Sequence, residues 1–372
     1  MVSTGGHPEQ KSGGKRSFLR GGVLSAFGER DYTVLWAGAL ISNIGTWVQT
    51  AALLWLIKDV LRSNSWVGAV NMASFVPVLL FVPLAGSLAD RHSRRTLIIA
   101  GQAVMMLGTL ALGLAVSFGV ASKSVILVTV SISGIAFALN FPAWQAILPD
   151  LVRPEDMVNA IALSAAQWNL ARFLGPLIGA GILALFSPAT AFYIDAVSFL
   201  LVIAALLWIH PQELELPRSK GAIRHDVLEG WKYVWERKWM VCLLVALTLV
   251  AFFGISYIVL IPAVARDVMG MGSTAYGFLL GMTGLGAVLG APLLTWLGKR
   301  FEQRDIIKAS ALSLGLLLIA FGLLKIYWLS CVVSVGLGAS FLVIGSASNS
   351  VLQANSERLM RGRVVGLYIM AY

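Results

Sequence analysis

The sequence predicts an all-α, polytopic membrane protein made of two repeated helical bundles, the second of them incomplete. Three observations lead there. Ten long apolar stretches alternate with short charged loops, and an eleventh begins at the C-terminus. The chain is 58% hydrophobic and only 12% charged, where a soluble chain would carry about 25% charged residues. One long polar interruption, at 210–239, divides six of the stretches from the rest. Bilayer hydrocarbon offers no water to backbone N–H and C=O groups, so each stretch should cross as a helix that satisfies its own backbone.

Residues 1–30 hold Lys11, Lys15, Arg16, Arg20 and Arg30 among glycines and serines. No apolar run precedes a small-residue cleavage site, so this reads as a cytoplasmic basic tail rather than a signal peptide. Residues 31–209 hold the first bundle, with spans at 32–57, 65–88, 96–117, 124–146, 158–184 and 188–209. The segment 210–239 opens with His210-Pro211 and is rich in charge. Its second part, from Ala222 to Trp239, spaces Ile223, Val227, Trp231 and Val234 or Trp235 three to four residues apart, with charged residues between them. That spacing makes an amphipathic helix lying along the cytoplasmic interface with its tryptophans at headgroup level; the alternative is a plain connecting linker. Residues 240–372 hold spans at 240–264, 274–297, 307–325 and 328–352. Val364 to Tyr372 opens an eleventh helix that is too short to span, since about 20 residues are needed. The second half is therefore expected to lack most of its fifth helix and all of its sixth.

Charge gives the sidedness. With the N-terminus cytoplasmic, the outer loops carry Lys58, Arg62, Lys123, Arg266 and Lys325, and Arg172 lies inside a span. All the others of the 28 lysines and arginines face the cytoplasm. This positive-inside bias is that of a multi-pass protein of a bacterial inner (plasma) membrane. The net charge of +10 does not indicate nucleic acid, because the basic residues are scattered over separate loops instead of one face. Cys242 and Cys331 fall in or at the edge of spans, which argues against a disulfide framework or a Cys metal site.

A weak internal repeat supports the two-bundle division. The end of span four, from Phe141 through Gln145 and Asp150 to Arg153 and Glu155, matches the end of span ten, from Asn349 through Gln353 to Glu357 and Arg361. Each runs from an apolar helix through a Gln and a charged turn into a new apolar helix. Parallel repeats about an axis along the membrane normal are a transporter architecture, with the substrate path between the halves.

The loop after span two reads Gly86-Ser-Leu-Ala-Asp90-Arg91-His-Ser-Arg94-Arg95. Gly86 allows close helix approach, and Asp90 is placed to accept hydrogen bonds from a neighbouring helix N-terminus. Arg91, Arg94 and Arg95 would sit at the anionic leaflet or pair with Asp90; the plain alternative is an ordinary basic turn. This loop resembles the signature loop of the major facilitator superfamily. Ser42-Asn-Ile-Gly-Thr-Trp-Val-Gln, Ala89-Asp-Arg, Pro142-Ala-Trp-Gln, Asn169-Leu-Ala-Arg-Phe-Leu-Gly-Pro, Ala196-Val-Ser-Phe and Arg361-Gly-Arg-Val are similar to its enterobactin-exporter-like subgroup, also called transmembrane secretion effectors. The resemblance covers roughly residues 30–372 and implies a twelve-helix fold, alternating access and proton-driven export of small organic molecules. The chain departs from the family pattern at Ser93, where the loop's second Gly is usual, in lacking an Arg in span four, and in lacking a twelfth helix.

Within the spans, Arg172 is the one deep basic residue, and Asp195 in the next span stands at a similar height. An intramembrane charge is costly and calls for a partner, so the two are expected to pair. The pair would lock spans five and six together, or Asp195 would be protonated during a transport cycle. Pro176 kinks span five and Gly175 and Gly179 allow close helix contact there, as do Gly277, Gly281, Gly284, Gly286 and Gly290 on span eight, two pairs of them at small-xxx-small spacing. In the resembled fold these two helices face each other, which suits rocking halves or static packing. Asn43, Thr46, Gln49, Asn140, Gln145, Asn169 and Gln353, with Asn71, Gln167 and Asn349, are candidates for a central cavity, and Trp47, Trp144 and Trp168 for its walls. Each is otherwise an interhelical hydrogen-bonding residue. As a group they favour a neutral or amphipathic small-molecule substrate.

No Walker loop, metal-ligand cluster or nucleophile–base constellation occurs, and the histidines lie in the tail and cytoplasmic segments. No enzyme chemistry, cofactor or metal is expected. The sequence thus reads as a secondary transporter, most simply an exporter, and the family resemblance implies protons as the coupling ion. The alternatives are a non-transporting remnant or assembly partner, and an importer of the same fold.

Overall fold

The computed structural model describes residues 24–61, 64–89, 92–209, 223–357 and 360–372; side-chain surroundings are described outside 59–61, 64, 82–89 and 223–228. Twelve α-helices account for nearly all of it. They are α1 (Arg30–Leu61), α2 (Asn64–Ala89), α3 (Arg94–Ser117), α4 (Lys123–Ile147), α5 (Met157–Leu185), α6 (Pro188–Trp208), α7 (Ile223–Trp235), α8 (Lys238–Ala263), α9 (Ser273–Gly298), α10 (Gln303–Leu323), α11 (Tyr327–Ala354) and α12 (Arg361–Ala371). Among the described residues, nine helices are long and apolar enough to cross a membrane, and α2 adds a shorter apolar stretch, Ser65–Phe81. The predicted spans coincide with α1–α6 and α8–α11 to within a few residues.

Helix ends follow local chemistry. Ser122 caps α4 by accepting the Val125 N–H at 3.3 Å. Pro188 stands in the first turn of α6, where its missing N–H costs nothing. Pro142, Pro176, Pro262 and Pro292 sit inside α4, α5, α8 and α9. After Pro262, α8 loosens into a wide turn at Val264–Val268, where the backbone bonds reach one residue further than in an α-helix. It closes at Gly270, whose φ of 67° requires a glycine, with the Met271 N–H bonded to the Ala265 carbonyl at 2.8 Å. That turn presents Arg266 and Asp267.

The helices pack as two groups. In the first, α1 lies between α5 and α6, α3 joins α6 and α4, and α2 lies along α4. In the second, α11 lies between α9 and α10, with α8 and α12 beside it. The principal bridge between the groups is α5 against α9. The chain runs alternately up and down, so every inter-helix loop falls at one of two ends, called here the Lys58 end and the linker end.

The apolar cores differ between these ends. Toward the Lys58 end one continuous core runs across both groups, from Leu53, Leu54 and Ile57 of α1 to Ile261 of α8, Tyr276 and Leu279 of α9 and Leu337 of α11. At the linker end two cores stand apart. One is drawn from the first group alone, including Tyr32, Ile98, Ile147 and Leu206. The other is drawn from the second alone, including Tyr233, Met240, Leu352 and Val364.

Helix α7 is amphipathic, with Trp231 and Trp235 exposed while Tyr233 and Val234 are buried. The apolar spacing read in the sequence grouped Val234 with the tryptophans, but Val234 turns inward onto α8 and α12.

Candidate functional site

At the linker end, charged side chains tie each group to itself. Arg94 opens α3, and its Nη1 donates to both Asp150 carboxylate oxygens, at 2.8 and 2.6 Å, and to the Ala146 carbonyl at 3.1 Å. The Asp150 side chain is fully buried, so this is a desolvated, charge-assisted pair. Arg95 donates to the Leu207 carbonyl at the end of α6. The sequence reading had offered these arginines the anionic leaflet or Asp90. Asp90 and Arg91 lie outside the described residues, as do the surroundings of Gly86; among the described residues Arg94 pairs with Asp150.

The repeat reappears here with its charges exchanged. Arg153, after α4, pairs with Glu29 at the head of α1 at 2.9 Å. Glu357, after α11, pairs with Arg237 at the head of α8, also at 2.9 Å. In each half the loop leaving the fourth helix is pinned to the start of the first, with acid and base swapped. Glu229 of α7 adds a pair with Arg363 of α12 at 2.6 Å.

At the Lys58 end the contacts cross between the groups. Lys58 of α1 pairs with Asp267 of the wide turn after α8. Arg266 lies over the Trp55 ring at 5.8 Å, and Trp55 stacks on Tyr276 of α9 with centroids 5.5 Å apart. Sequence reasoning missed this cluster, and also Asp150. Lys58, in the last turn of α1, and Asp267, in the wide turn after α8, belong to different halves and carry no local signal. Asp150 stood inside the repeated motif at the end of span four, and its burial was the unread clue.

Between the ends lies the α5–α9 crossing. A Cβ on Gly284 would fall 2.5 Å from the Arg172 carbonyl oxygen and 2.6 Å from the Phe173 Cα, and one on Gly277 would strike Ala180 and lie 2.8 Å from the Pro176 carbonyl. Only glycine lets the two backbones approach so closely. Gly281 faces Leu177. Further toward the linker end α9 turns its glycines elsewhere: Gly286 and Gly290 meet Val335 and Ala339 of α11. Gly175 and Gly179 of α5 face α1, at Trp47 and Ile44 and at Val48 and Ala51.

The expected ion pair between Arg172 and Asp195 does not form. Asp195 is fully buried and faces the Gly45–Thr46 step of α1. It accepts from Thr46 Oγ1 at 3.4 Å and from Ser198 Oγ at 3.2 Å, and its Oδ2 has no partner. Arg172 is on the other side of α1, with its guanidinium 5.7 Å from the centre of the Trp47 ring. The heights agree, but α1 stands between the two helices that carry the charges.

The polar candidates divide. Asn43 donates to Gln167 at 3.4 Å, and Gln49 accepts from Thr109 at 3.3 Å, so with Thr46 they tie α1 to α5, α3 and α6. Asn140 is buried against Gly101 of α3, which removes it from a central cavity. Gln145 and Gln353 are exposed, Gln353 bonding Asn349 on its own helix at 3.0 Å. Asn169 is half-buried and donates to the Ala165 carbonyl of its own helix at 2.9 Å. Among the described residues there is no group of three or more His, Cys, Asp or Glu side chains able to hold a metal.

Among the described residues, the two helical groups share a core at one end and keep separate cores at the other, with glycine-smoothed helices at the crossing. The transmembrane secretion effector family matches residues 22–372. The chain belongs to that family. Its relatives are membrane transporters of the major facilitator superfamily. The staphyloferrin A transporter of Staphylococcus aureus is 25% identical over 333 residues, 88% of this chain and 82% of that one. The multidrug efflux pump Tap of Mycobacterium bovis is 25% identical over 349 residues, covering 90% and 82%. Macrolide efflux protein A of Streptococcus pyogenes is 21% identical over 352 residues, covering 90% and 84%. Among solved structures, the nucleoside transporter NupG aligns over 92% of this chain and 87% of its own, with a TM-score of 0.71 at 13% identity. A bacterial homologue of the human lysosomal transporter Spinster, in an inward-facing and unoccupied conformation, covers 92% and 79%, with a TM-score of 0.69 at 16% identity. The all-α fold predicted from the spans is thus the major facilitator fold, and the chain is a multi-pass membrane transporter.

Proposed function

We propose that this transporter exports small amphipathic organic molecules across the bacterial inner membrane by alternating access, driven by protons. The observation that carries the reading is the contrast between the two ends among the described residues: contacts between the groups at the Lys58 end, contacts within them at the linker end. The positive-inside bias puts the N-terminus and the 210–239 linker in the cytoplasm, so the described state is open toward the cytoplasm and ready to load from that side. The halves that move are residues 31–209 and 240–372, with the linker helix lying along the cytoplasmic surface. Two of the relatives are efflux proteins by name, which supports the outward direction.

Asp195 is the proposed proton carrier. It is the one acidic residue in the middle of a span among the described residues, and one of its carboxyl oxygens is free to hold a proton. Asp90 is proposed to serve the conformational cycle at the loop following α2.

The test is uptake into everted membrane vesicles of a panel made of naphthalene sulfonate, naphthalene sulfonamide and a macrolide, read by mass spectrometry. Energised uptake of at least one compound, abolished by a protonophore and by Asp195→Asn, supports the reading. Uptake only by right-side-out vesicles would make the protein an importer, and absence of uptake in both would overturn transport of this class of compound.

A further inference from the structure

The missing ion pair leaves Arg172 with a full charge at mid-membrane depth and no carboxylate. Among the described residues the guanidinium makes no hydrogen bond, and its Nε is buried without a partner. A bare cation at such depth is too costly to keep without a function or a ligand. The Trp47 ring face offsets part of that cost.

A second donor beside it is also idle: the Trp47 indole N–H is buried without an acceptor. Buried polar groups are nearly always paired, so two idle donors in one place need an explanation. They come from α5 and α1 and stand beside the Gly284 crossing, beyond which α9 leaves α5 for α11. One turn toward the linker end, Trp168 is 41% exposed and meets Trp47 edge-on at 6.1 Å. The setting therefore has an apolar aromatic wall on the open side and a cationic, donor-only head above it.

We propose that Arg172 and Trp47 form the head-group subsite of the substrate path, and that the substrate is an amphipathic organic anion whose acidic group meets Arg172 while its apolar body lies on Trp168. This deepens the transporter reading and rests on it. An anion satisfies both donors at once, which a neutral acceptor does less strongly. It also neutralises the mid-membrane charge, so loading would remove the electrostatic penalty of burying Arg172 when the halves close.

The test is equilibrium binding to the full chain in lipid nanodiscs without any ion gradient, using naphthalene sulfonate and the neutral naphthalene sulfonamide, with empty nanodiscs subtracted. The wild type is expected to favour the sulfonate by about tenfold or more, the size of a charge-assisted contact. Arg172→Gln should bring the two within about twofold, and Arg172→Lys should keep part of the preference. Trp47→Phe should weaken the sulfonate by about threefold, the loss of one hydrogen bond. Equal wild-type affinities, binding of neither probe, or an unchanged preference in a monodisperse Arg172→Gln protein would overturn the proposal. If Arg172→Gln fails to fold, the wild-type ratio and Trp47→Phe decide. The vesicle assay is independent: energised uptake can succeed while the anion preference fails, and the reverse.

Discussion

The Lys58 end and the linker end use the same chemistry to opposite effect. Both hold Arg or Lys against Asp or Glu, beside aromatic rings. At the Lys58 end the partners belong to different halves, as in Lys58–Asp267 and Trp55–Tyr276. At the linker end the described pairs belong to the same half, as in Arg94–Asp150, Arg153–Glu29, Arg237–Glu357 and Glu229–Arg363. This difference decides what each contact can do. A contact inside a half that moves as a body is present in every conformation and contributes equally to each, so it stabilises the fold without biasing the cycle. A contact between halves exists on one side of the cycle only and biases it by its full free energy. The two kinds are separable with one reporter: maleimide labelling of Leu279→Cys in a background with Cys242 and Cys331 changed to alanine. Leu279 is fully buried in the shared core and becomes reachable only when the Lys58 end opens.

The largest effect should come from Asp150→Ala. The carboxylate is buried and paired with Arg94, and losing one partner of such a pair leaves a desolvated charge that costs about 3–5 kcal/mol. Folded yield should collapse, and the surviving fraction should label at Leu279→Cys no faster than the parent. Faster labelling would show that this pair also reaches across the halves.

Gly284→Ala comes next. Its new Cβ would fall on the backbone of α5, an overpacking cost of about 1–3 kcal/mol, and the strain lies between halves. Labelling at Leu279→Cys should rise. The control is Gly338→Ala, whose Cβ would strike the Thr283 carbonyl inside the second group. It should lower thermal stability to a similar degree without raising labelling.

How much of this was legible in the sequence follows from the same division. The spans were legible because each helix answers to its own backbone and to the bilayer, both local constraints. The α5–α9 crossing was expected because the family resemblance sets these two helices face to face, and their glycines mark close helix approach without naming the partner. The Arg172–Asp195 pair was misread because height along a span follows from counting residues, whereas the facing of two side chains depends on which helix lies between them. Here that helix is α1. The Lys58–Asp267 pair was invisible for a related reason: it joins residues of different halves whose proximity is a property of one conformation. Asn140 looked like a cavity residue on polarity alone, yet Gly101 opens a place for it between α3 and α4.

Lys58→Ala should have a smaller effect on stability but a visible one on the cycle. Asp267 is about half exposed, so solvent receives its charge and the loss is about 1 kcal/mol. All of that loss falls on the closed Lys58 end, so labelling at Leu279→Cys should rise about fivefold. Exchanging the charges, with Lys58→Asp and Asp267→Lys together, should return it toward the parent value. A rise that the exchange does not reverse would mean that Lys58 acts through packing along Trp55 rather than through its charge.

Arg237→Ala should have the smallest effect, and it tests the other side of the comparison. Arg237 reaches Glu357 at 2.9 Å, lies over the Tyr233 ring at 3.6 Å and donates to the Tyr233 carbonyl at 3.1 Å. The ion pair is largely solvent-exposed, with the Glu357 side chain 68% accessible, and such pairs contribute about 0.2–1 kcal/mol. Its geometry resembles Lys58–Asp267 closely enough that a count of salt bridges would rank the two together. Their consequences should differ, because Arg237, Tyr233 and Glu357 all travel with the second half. The midpoint of thermal unfolding should fall slightly, and labelling at Leu279→Cys should stay at the parent rate. If Arg237→Ala instead speeds labelling as much as Lys58→Ala does, then α7 and the head of α8 do not move with the second half. The linker helix would then have to be counted among the parts that shift between states.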